Sequence, residues 1–220
     1  MAEPHLFGEL PAEELRRLVA VARRRRFGRN EVVFHRDDPA DTLHLIVKGR
    51  FASRMTTQLG ETVTVAVQGP GEAFGELALV DGAASRSASV SALEPGETLA
   101  VSHADFDRLR REYPGVNDVL VRLLARRVRR QSDLLVEAFF VPADTRVLRR
   151  LCELASLYGD GKRAVEVPLT QEDIAGLAGT SRATVNRLLR AEEKRGTVEL
   201  RRGRTVVLDP ESLRKRARSS

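Results

Sequence analysis

Four residues between positions 75 and 87 carry the most specific chemistry in this sequence. Gly75 permits close backbone approach, and Glu76 offers a carboxylate to a ribose hydroxyl. Ten residues after Glu76, Arg86 presents a planar fork of donors suited to a phosphate, with the Ser87 hydroxyl beside it. Backbone amides at the start of the 75–79 turn, which carries Leu77, add partial positive charge. An Arg and a Glu in one loop usually make a weak surface ion pair. Their order and spacing here point instead to a phosphate ester carried on a ribose.

The elements that must position these residues follow from periodicity. From Phe27 to about Val101 the apolar period is two, with strand-like runs at 63–67, 88–92 and 98–101 separated by Gly-containing turns. That pattern predicts a β barrel or β roll. A helix over 9–24, through Leu10, Leu15, Leu18, Val19 and Ala22 with Pro11 near its start, precedes it. Ser102 is placed to cap a helix over 103–113, after which Pro114-Gly115 breaks the chain. Residues 116–140 make the longest helix. Along it Val121, Leu124, Val128, Gln131, Leu135 and Ala138 alternate steps of three and four, the seam of a coiled coil. Leu120, Leu123 and Leu134 form a second stripe expected to pack on the barrel. Two apolar faces need two partners, which a parallel homodimer and the barrel supply.

Composition bounds the alternatives. A chain of 220 residues holds one or two domains with substantial cores. The single cysteine, Cys152, lies in an apolar helical run and reads as core; it excludes an intrachain disulfide and a four-cysteine iron–sulfur site. No apolar run approaches the roughly 20 residues that span a bilayer, and the N-terminus lacks a signal peptide's apolar segment, so a cytoplasmic protein without membrane association is expected. His5, His35, His44 and His103 are scattered, and no paired carboxylate, Cys–His or metal-spaced cluster stands out. Neither catalysis nor a metal or haem site is expected. Residues 1–141 carry 20 Lys+Arg and 20 Asp+Glu, while residues 142–220 carry 17 against 11, which is the whole net charge of +6. A neutral front with a basic back suits a sensor joined to a nucleic-acid reader.

Pro142 opens the second part. A helix over 144–158 runs through Val147, Leu148, Leu151, Leu154 and Ala155; Gly159-Asp160-Gly161 ends it, and 164–167 is strand-like. Thr170 caps a short helix, Gly179 permits a tight turn, and Thr180 or Ser181 caps the next helix. Ile174, Leu177, Val185 and Leu188 are expected to bury between the two helices. Arg182, Ala183, Asn186, Arg187 and Arg190 then face outward, and three arginines on one face set the motif apart from an ordinary helical hairpin. A β hairpin follows, with Arg202 and Arg204 at its turn poised for phosphates. The 214–218 tail is expected to be disordered and solvated, adding salt-sensitive affinity.

The 74–90 stretch resembles the phosphate-binding cassette of the cyclic AMP receptor protein/FNR (Crp/Fnr) superfamily of bacterial transcription regulators. The resemblance covers nearly the whole chain, including Asn30-Glu31-Val32-Val33-Phe34, the Asp38-Pro39-Ala40-Asp41-Thr42-Leu43-His44 run and the helix pair after Thr170. It is nearest the cyclic AMP-binding branch. It implies an α+β fold: a cyclic-nucleotide-binding β roll of jelly-roll type over 1–115, a dimerisation helix and hinge over 116–141, and a winged helix-turn-helix over 142–220. The implied function is that of a homodimeric DNA-binding regulator controlled by cyclic AMP. Gly75, Glu76, Leu77, Arg86, Ser87 and Ala88 would surround ribose and phosphate, with Gln131 and Ser132 of the dimer helix facing the base. Gln131 replaces the short hydroxyl residue usual in the relatives, which leaves the base open. Asp37 stands where members often have Gly, and Asp tolerates a left-handed turn. On double-stranded DNA, Arg182 and Arg187 match residues that read guanines, Ala183 replaces a Glu that accepts from cytosine, and Asn186 suits adenine. Thr170, Ser181, Arg190, Arg202 and Arg204 complete the expected contacts with a pseudo-palindromic operator. The loop over 159–163 is a candidate surface for RNA polymerase. The alternative is a family regulator whose barrel is ligand-independent or takes another effector.

Overall fold

The period-two segment, joined by residues 23–26, of which the sequence pattern assigns Arg23 and Arg24 to the first helix, forms two four-stranded sheets in the computed structural model, which describes residues 12–58, 60–80, 85–159 and 164–218. Leu10 and Pro11 of the first predicted helix, and 160–163 of the candidate polymerase loop, lie outside the described residues. The chain divides into two compact units: Met1–Thr56 with Ala66–Arg130, and Thr57–Val65 with Gln131–Ser220.

In the first sheet, β1 (Arg23–Phe27), β8 (Gly96–Ser102), β3 (Thr42–Lys48) and β6 (Ala73–Phe74) are neighbours in that order. In the second the order is β2 (Val32–Phe34), β7 (Ser89–Ala92), β4 (Phe51–Thr56) and β5 (Thr62–Gln68). Pairing across β3 and β8 is antiparallel, with Leu43 opposite Val101 and Leu45 opposite Leu99. The alternation sends Phe27, Ile46, Phe51, Phe74, Val90 and Ala92 into one aromatic-rich core. Phe27 meets Phe51 edge-on at 5.7 Å, a preferred aromatic geometry. This is the β roll expected from the sequence.

Helices close one side of the roll. Leu18 from α1 (Ala12–Val21), Phe106 and Leu109 from α2 (His103–Glu112), and Val116, Val119, Leu120 and Leu123 from α3 (Val116–Phe140) share a core with Leu43, Leu45 and Val101. Burial of each such side chain contributes roughly 1.5–3 kcal/mol. Ser102 caps α2 by accepting from the Asp105 amide at 3.0 Å.

Along α3 the expected seam is mostly bare: Val121, Val128 and Leu135, spaced by seven, are 61%, 61% and 58% exposed, and Gln131 and Ala138 are exposed with them. Two positions differ from the sequence reading. Leu124 is half-buried against the barrel core, because it adjoins Leu123 and lies one turn beyond Leu120. Leu134 does not join that core; it falls in the second unit, where it lines a cavity with Glu137, Arg146 and Arg150.

The second unit contains α4 (Ala143–Tyr158), β9 (Val165–Val167), α5 (Gln171–Ala178), α6 (Arg182–Lys194), β10 (Val198–Arg201), β11 (Arg204–Val207) and α7 (Pro210–Arg218). Its core gathers Val147, Leu151, Ile174, Val185, Leu189, Val207 and Leu213. Leu177, expected in that core, is only half-buried. Residues 214–218 are not a solvated tail but the body of α7. Leu213 and Ala217, four apart, are both buried, Asp209 accepts from the Ser212 amide at 3.0 Å, and Arg216 pairs with the buried Glu192. The run of charges hid this apolar stripe and its cap. Cys152, read as core, is only half-buried, and burial pushes its thiol up to about 11, which keeps it protonated near pH 7. No helix among the described residues is long and apolar enough to cross a membrane.

Candidate functional site

Arg86 anchors the first candidate site, and its backbone is fixed before its side chain acts. The Arg86 amide donates to Asp38 O at 2.9 Å, and Arg86 O accepts from the Asp37 amide at 2.9 Å. Asp37 has φ of 69°, the left-handed turn that its side-chain type tolerates. Only 4% of Arg86 is exposed. Its guanidinium stacks over Phe34 at 4.0 Å, donates through Nη1 to Thr42 O at 2.7 Å, and donates through Nη2 to Thr42 Oγ1 at 2.8 Å. Asp41 Oδ1 lies 3.3 Å from Nη2. Nε is buried without a hydrogen-bond partner. Burial lowers the Arg86 pKa below its ordinary value, against the opposing pull of Asp41, Asp38 and Glu76. A buried guanidinium with an unused donor has unmet demand for an acceptor, and an anion's oxygen can supply it.

Gly75 makes this approach possible. Its φ is 80°, and a Cβ there would stand 2.7 Å from Arg86 Nη1 and 2.8 Å from Thr42 O. Both the backbone conformation and the space demand glycine. Glu76 follows in a 3₁₀ turn, buried, with Arg127 Nε of α3 at 3.5 Å from its Oε1. Gly75, Glu76, Leu77, Arg86, Ser87 and Ala88 line one open pocket together with Arg127. The lining contains neither Gln131 nor Ser132, which are exposed on α3. Arg127 escaped the sequence reading, although it lies four residues before Gln131 and so on the same helix face.

Under the pocket His44 ties these parts together. Its Nδ1 is 3.0 Å from Thr98 Oγ1, its Nε2 is 3.3 Å from Thr42 Oγ1, and its ring stacks on Phe74 at 5.0 Å. Burial, reinforced by Arg86 and Arg25 and opposed by Asp41, lowers the His44 pKa to about 3. The ring is therefore neutral near pH 7. Its two nitrogens serve as a fixed link between Thr98 and the Thr42 hydroxyl that holds Arg86.

The second candidate site is the outer face of α6. Thr170 caps α5 in a reciprocal box with Asp173, Gly179 takes φ of 59° after α5, and Ser181 caps α6 by accepting from the Thr184 amide. Thr170 and Ser181 thus act through backbone capping in this structure. Arg182, Ala183, Asn186, Arg187 and Arg190 are all exposed, side by side. Among the described residues Arg182 has no ion-pair partner; Arg190 pairs with Glu193 at 2.8 Å, and Asn186 donates to Gln171 at 3.0 Å. Arg187 Nη2 donates to Asp144 Oδ1 at 2.6 Å. At the hairpin turn Arg202 is exposed, while Arg204 pairs with Glu166 of β9 at 3.0 Å. Arg146 joins the ends of two helices, donating to Val141 O at 2.7 Å, Ala178 O at 2.8 Å and Gly179 O at 2.9 Å, a favourable place for a cation.

The family model described as the cyclic nucleotide-binding domain matches residues 24–113, and the one described as the Crp-like helix-turn-helix domain matches residues 145–216. A CRP-like cAMP-activated global transcriptional regulator of Mycobacterium tuberculosis is 35% identical over 198 residues, covering 87% of each chain. The cyclic AMP receptor protein of Thermus thermophilus is 37% identical over 206 residues, covering 92% of this chain and 91% of that one. Among solved structures, the Thermus thermophilus catabolite activator protein is similar at 34% identity with a TM-score of 0.55, covering 97% of this chain and 98% of that one. The c-di-GMP-responsive regulator CLP of Xanthomonas campestris shares the fold, with a TM-score of 0.75 at 22% identity, over 90% of this chain and 99% of that one.

Proposed function

The chain belongs to the Crp/Fnr family of DNA-binding transcription regulators, which are not enzymes, and from that premise we propose that it is a homodimer whose operator binding is controlled by cyclic AMP. The observation that carries the effector reading is the buried Arg86 with its unused Nε, facing a pocket shared with Glu76, Ser87 and Ala88. In this reading Arg86, Ser87 and the Ala88 amide hold the cyclic phosphate, and Glu76, steadied by Arg127, accepts from the ribose hydroxyl. Gly75 and Leu77 shape the wall. Two relatives at 35% and 37% identity are cyclic AMP regulators, which supports the choice of adenine.

The exposed Val121, Val128 and Leu135 row supports a partner helix of the same kind, since three large apolar side chains at heptad spacing lie open to water. Pairing there sets Gln131 and Ser132 near the interface, where they contribute to the base side of the site. On DNA, Arg182 and Arg187 read guanines, Asn186 an adenine, and Ala183 leaves its position without a hydrogen bond. Thr170, Ser181, Arg190, Arg202 and Arg204 serve the phosphates. The boundaries that follow are a sensor to residue 115, a dimer helix and hinge to 141, and the DNA reader from 142.

Titration calorimetry of nucleotide-free protein tests the effector. Cyclic AMP is expected to bind at one site per protomer and more tightly than cyclic GMP. Absence of cyclic AMP binding, or tighter binding of cyclic di-GMP, would assign the barrel to scaffold duty or to another effector.

A further inference from the structure

The ion pair between Arg187 and Asp144 joins the proposed base-reading face to a different helix. Asp144 lies in the first turn of α4, 43 residues before Arg187. Its carboxylate takes the Arg187 Nη2 at 2.6 Å, with the two side chains 65% and 42% exposed. Of the three outward arginines, Arg182 has no ion-pair partner among the described residues, and Arg190 pairs inside its own helix with Glu193. Arg187 alone of the three is held by a tertiary contact.

A guanine contact occupies one whole two-donor edge of a guanidinium, and Nη2 belongs to both available edges. Base binding on either edge therefore brings the Asp144 carboxylate beside the guanine O6 and N7 acceptors. The groove there is walled by phosphates, so a carboxylate is repelled. Arg187 must leave Asp144 to read a base freely. The pair does little for the fold, since it is open to solvent and screened. Asp144 is also favourably placed at the positive end of α4, so its carboxylate is steady in the first turn without Arg187.

We propose that Asp144 is an affinity-setting residue for operator recognition, an intramolecular competitor that holds Arg187 until a guanine displaces it. The proposal rests on the assignment of Arg187 to base reading. It acts through Arg187, so Asp144 is a positioning residue rather than a base contact.

A double-mutant cycle tests this with the duplex that wild-type protein selects most strongly from a randomised pool, at fixed cyclic AMP and salt. D144N is expected to tighten binding about fivefold, equivalent to about 1 kcal/mol, the upper end for an exposed pair. In an R187Q background the same change is expected to have less than about a twofold effect, because the guanidinium it releases is gone. D144E, which keeps the charge, is expected to bind as wild type does. Equal tightening in both backgrounds would mean that the carboxylate acts on DNA charge at large, and would overturn the proposal. Unchanged binding by D144N would overturn it too, and weakened binding would show that Asp144 orients Arg187 for the base. R187Q measured alone reports on base reading separately: if it binds the selected duplex as wild type does, that assignment fails, whatever the cycle gives.

Discussion

Replacing Arg86 by Gln isolates the charge that the nucleotide pocket is built around. The guanidinium already spends Nη1 on Thr42 O and Nη2 on Thr42 Oγ1, with Asp41 beside it, and keeps Nε in reserve. A bound phosphate gains an edge of two charge-assisted hydrogen bonds, worth roughly 1.5–3 kcal/mol each. Loosening the contact with Asp41, which is 78% exposed, returns at most about 1 kcal/mol of that. The net loss on going to Gln is then about 2–6 kcal/mol, or roughly one and a half to four decades in nucleotide affinity. Gln is about two bonds too short to reach Thr42 O from the same backbone, so R86Q also gives up both hydrogen bonds to Thr42, and fold stability is expected to fall by about 1–3 kcal/mol. Calorimetric titration gives the first quantity and urea unfolding the second. A folded R86Q protein that binds cyclic AMP with wild-type affinity would refute the placement of the phosphate.

Three further outcomes follow from the same geometry. Gly75→Ala forces a side chain into φ of 80° and against Arg86 and Thr42, so stability should fall by at least about 1–2 kcal/mol in urea unfolding, with nucleotide affinity falling alongside. His44 has its folded pKa lowered to about 3, so as pH falls below about 6.5 the unfolded chain takes up the proton first. Stability should therefore decline between about pH 6.5 and 3, by up to about 1.4 kcal/mol per pH unit, and be insensitive to His44 above that window. His44→Gln should remove most of that slope in unfolding curves at pH 7, 5 and 4; an identical slope in the variant would contradict the assignment. Arg182→Ala should cost about 1–3 kcal/mol per half-site on a selected duplex and relax the choice at one base pair, read by competition binding.

The pocket's wall was legible because it is local. Gly75 to Ala88 fit within one loop, so residue type and spacing carry the signal, and Asp37 took the left-handed turn that its type allows. The β roll and the helix pair were legible for a related reason: alternation and caps at Ser102, Thr170 and Ser181 are written in neighbouring residues. What escaped depends on tertiary approach. Arg127 meets Glu76, and Asp144 meets Arg187, across gaps in sequence that no pattern marks. His44 gave no hint that it would lie buried between Thr42 and Thr98. At 214–218 the run of charges masks Leu213 and Ala217, whose i, i+4 spacing is enough to seat a short helix.

In the proposed function, a nucleotide in the barrel changes how the second unit holds DNA. This coupling is tested most directly by measuring the affinity of nucleotide-free protein for its selected duplex by fluorescence anisotropy, with and without saturating cyclic AMP. Coupling between two sites typically reaches about 1–3 kcal/mol, so cyclic AMP is expected to tighten binding about 5- to 150-fold in wild type and not at all in R86Q. Equal affinity with and without cyclic AMP, for wild-type protein verified free of nucleotide, would contradict this coupling.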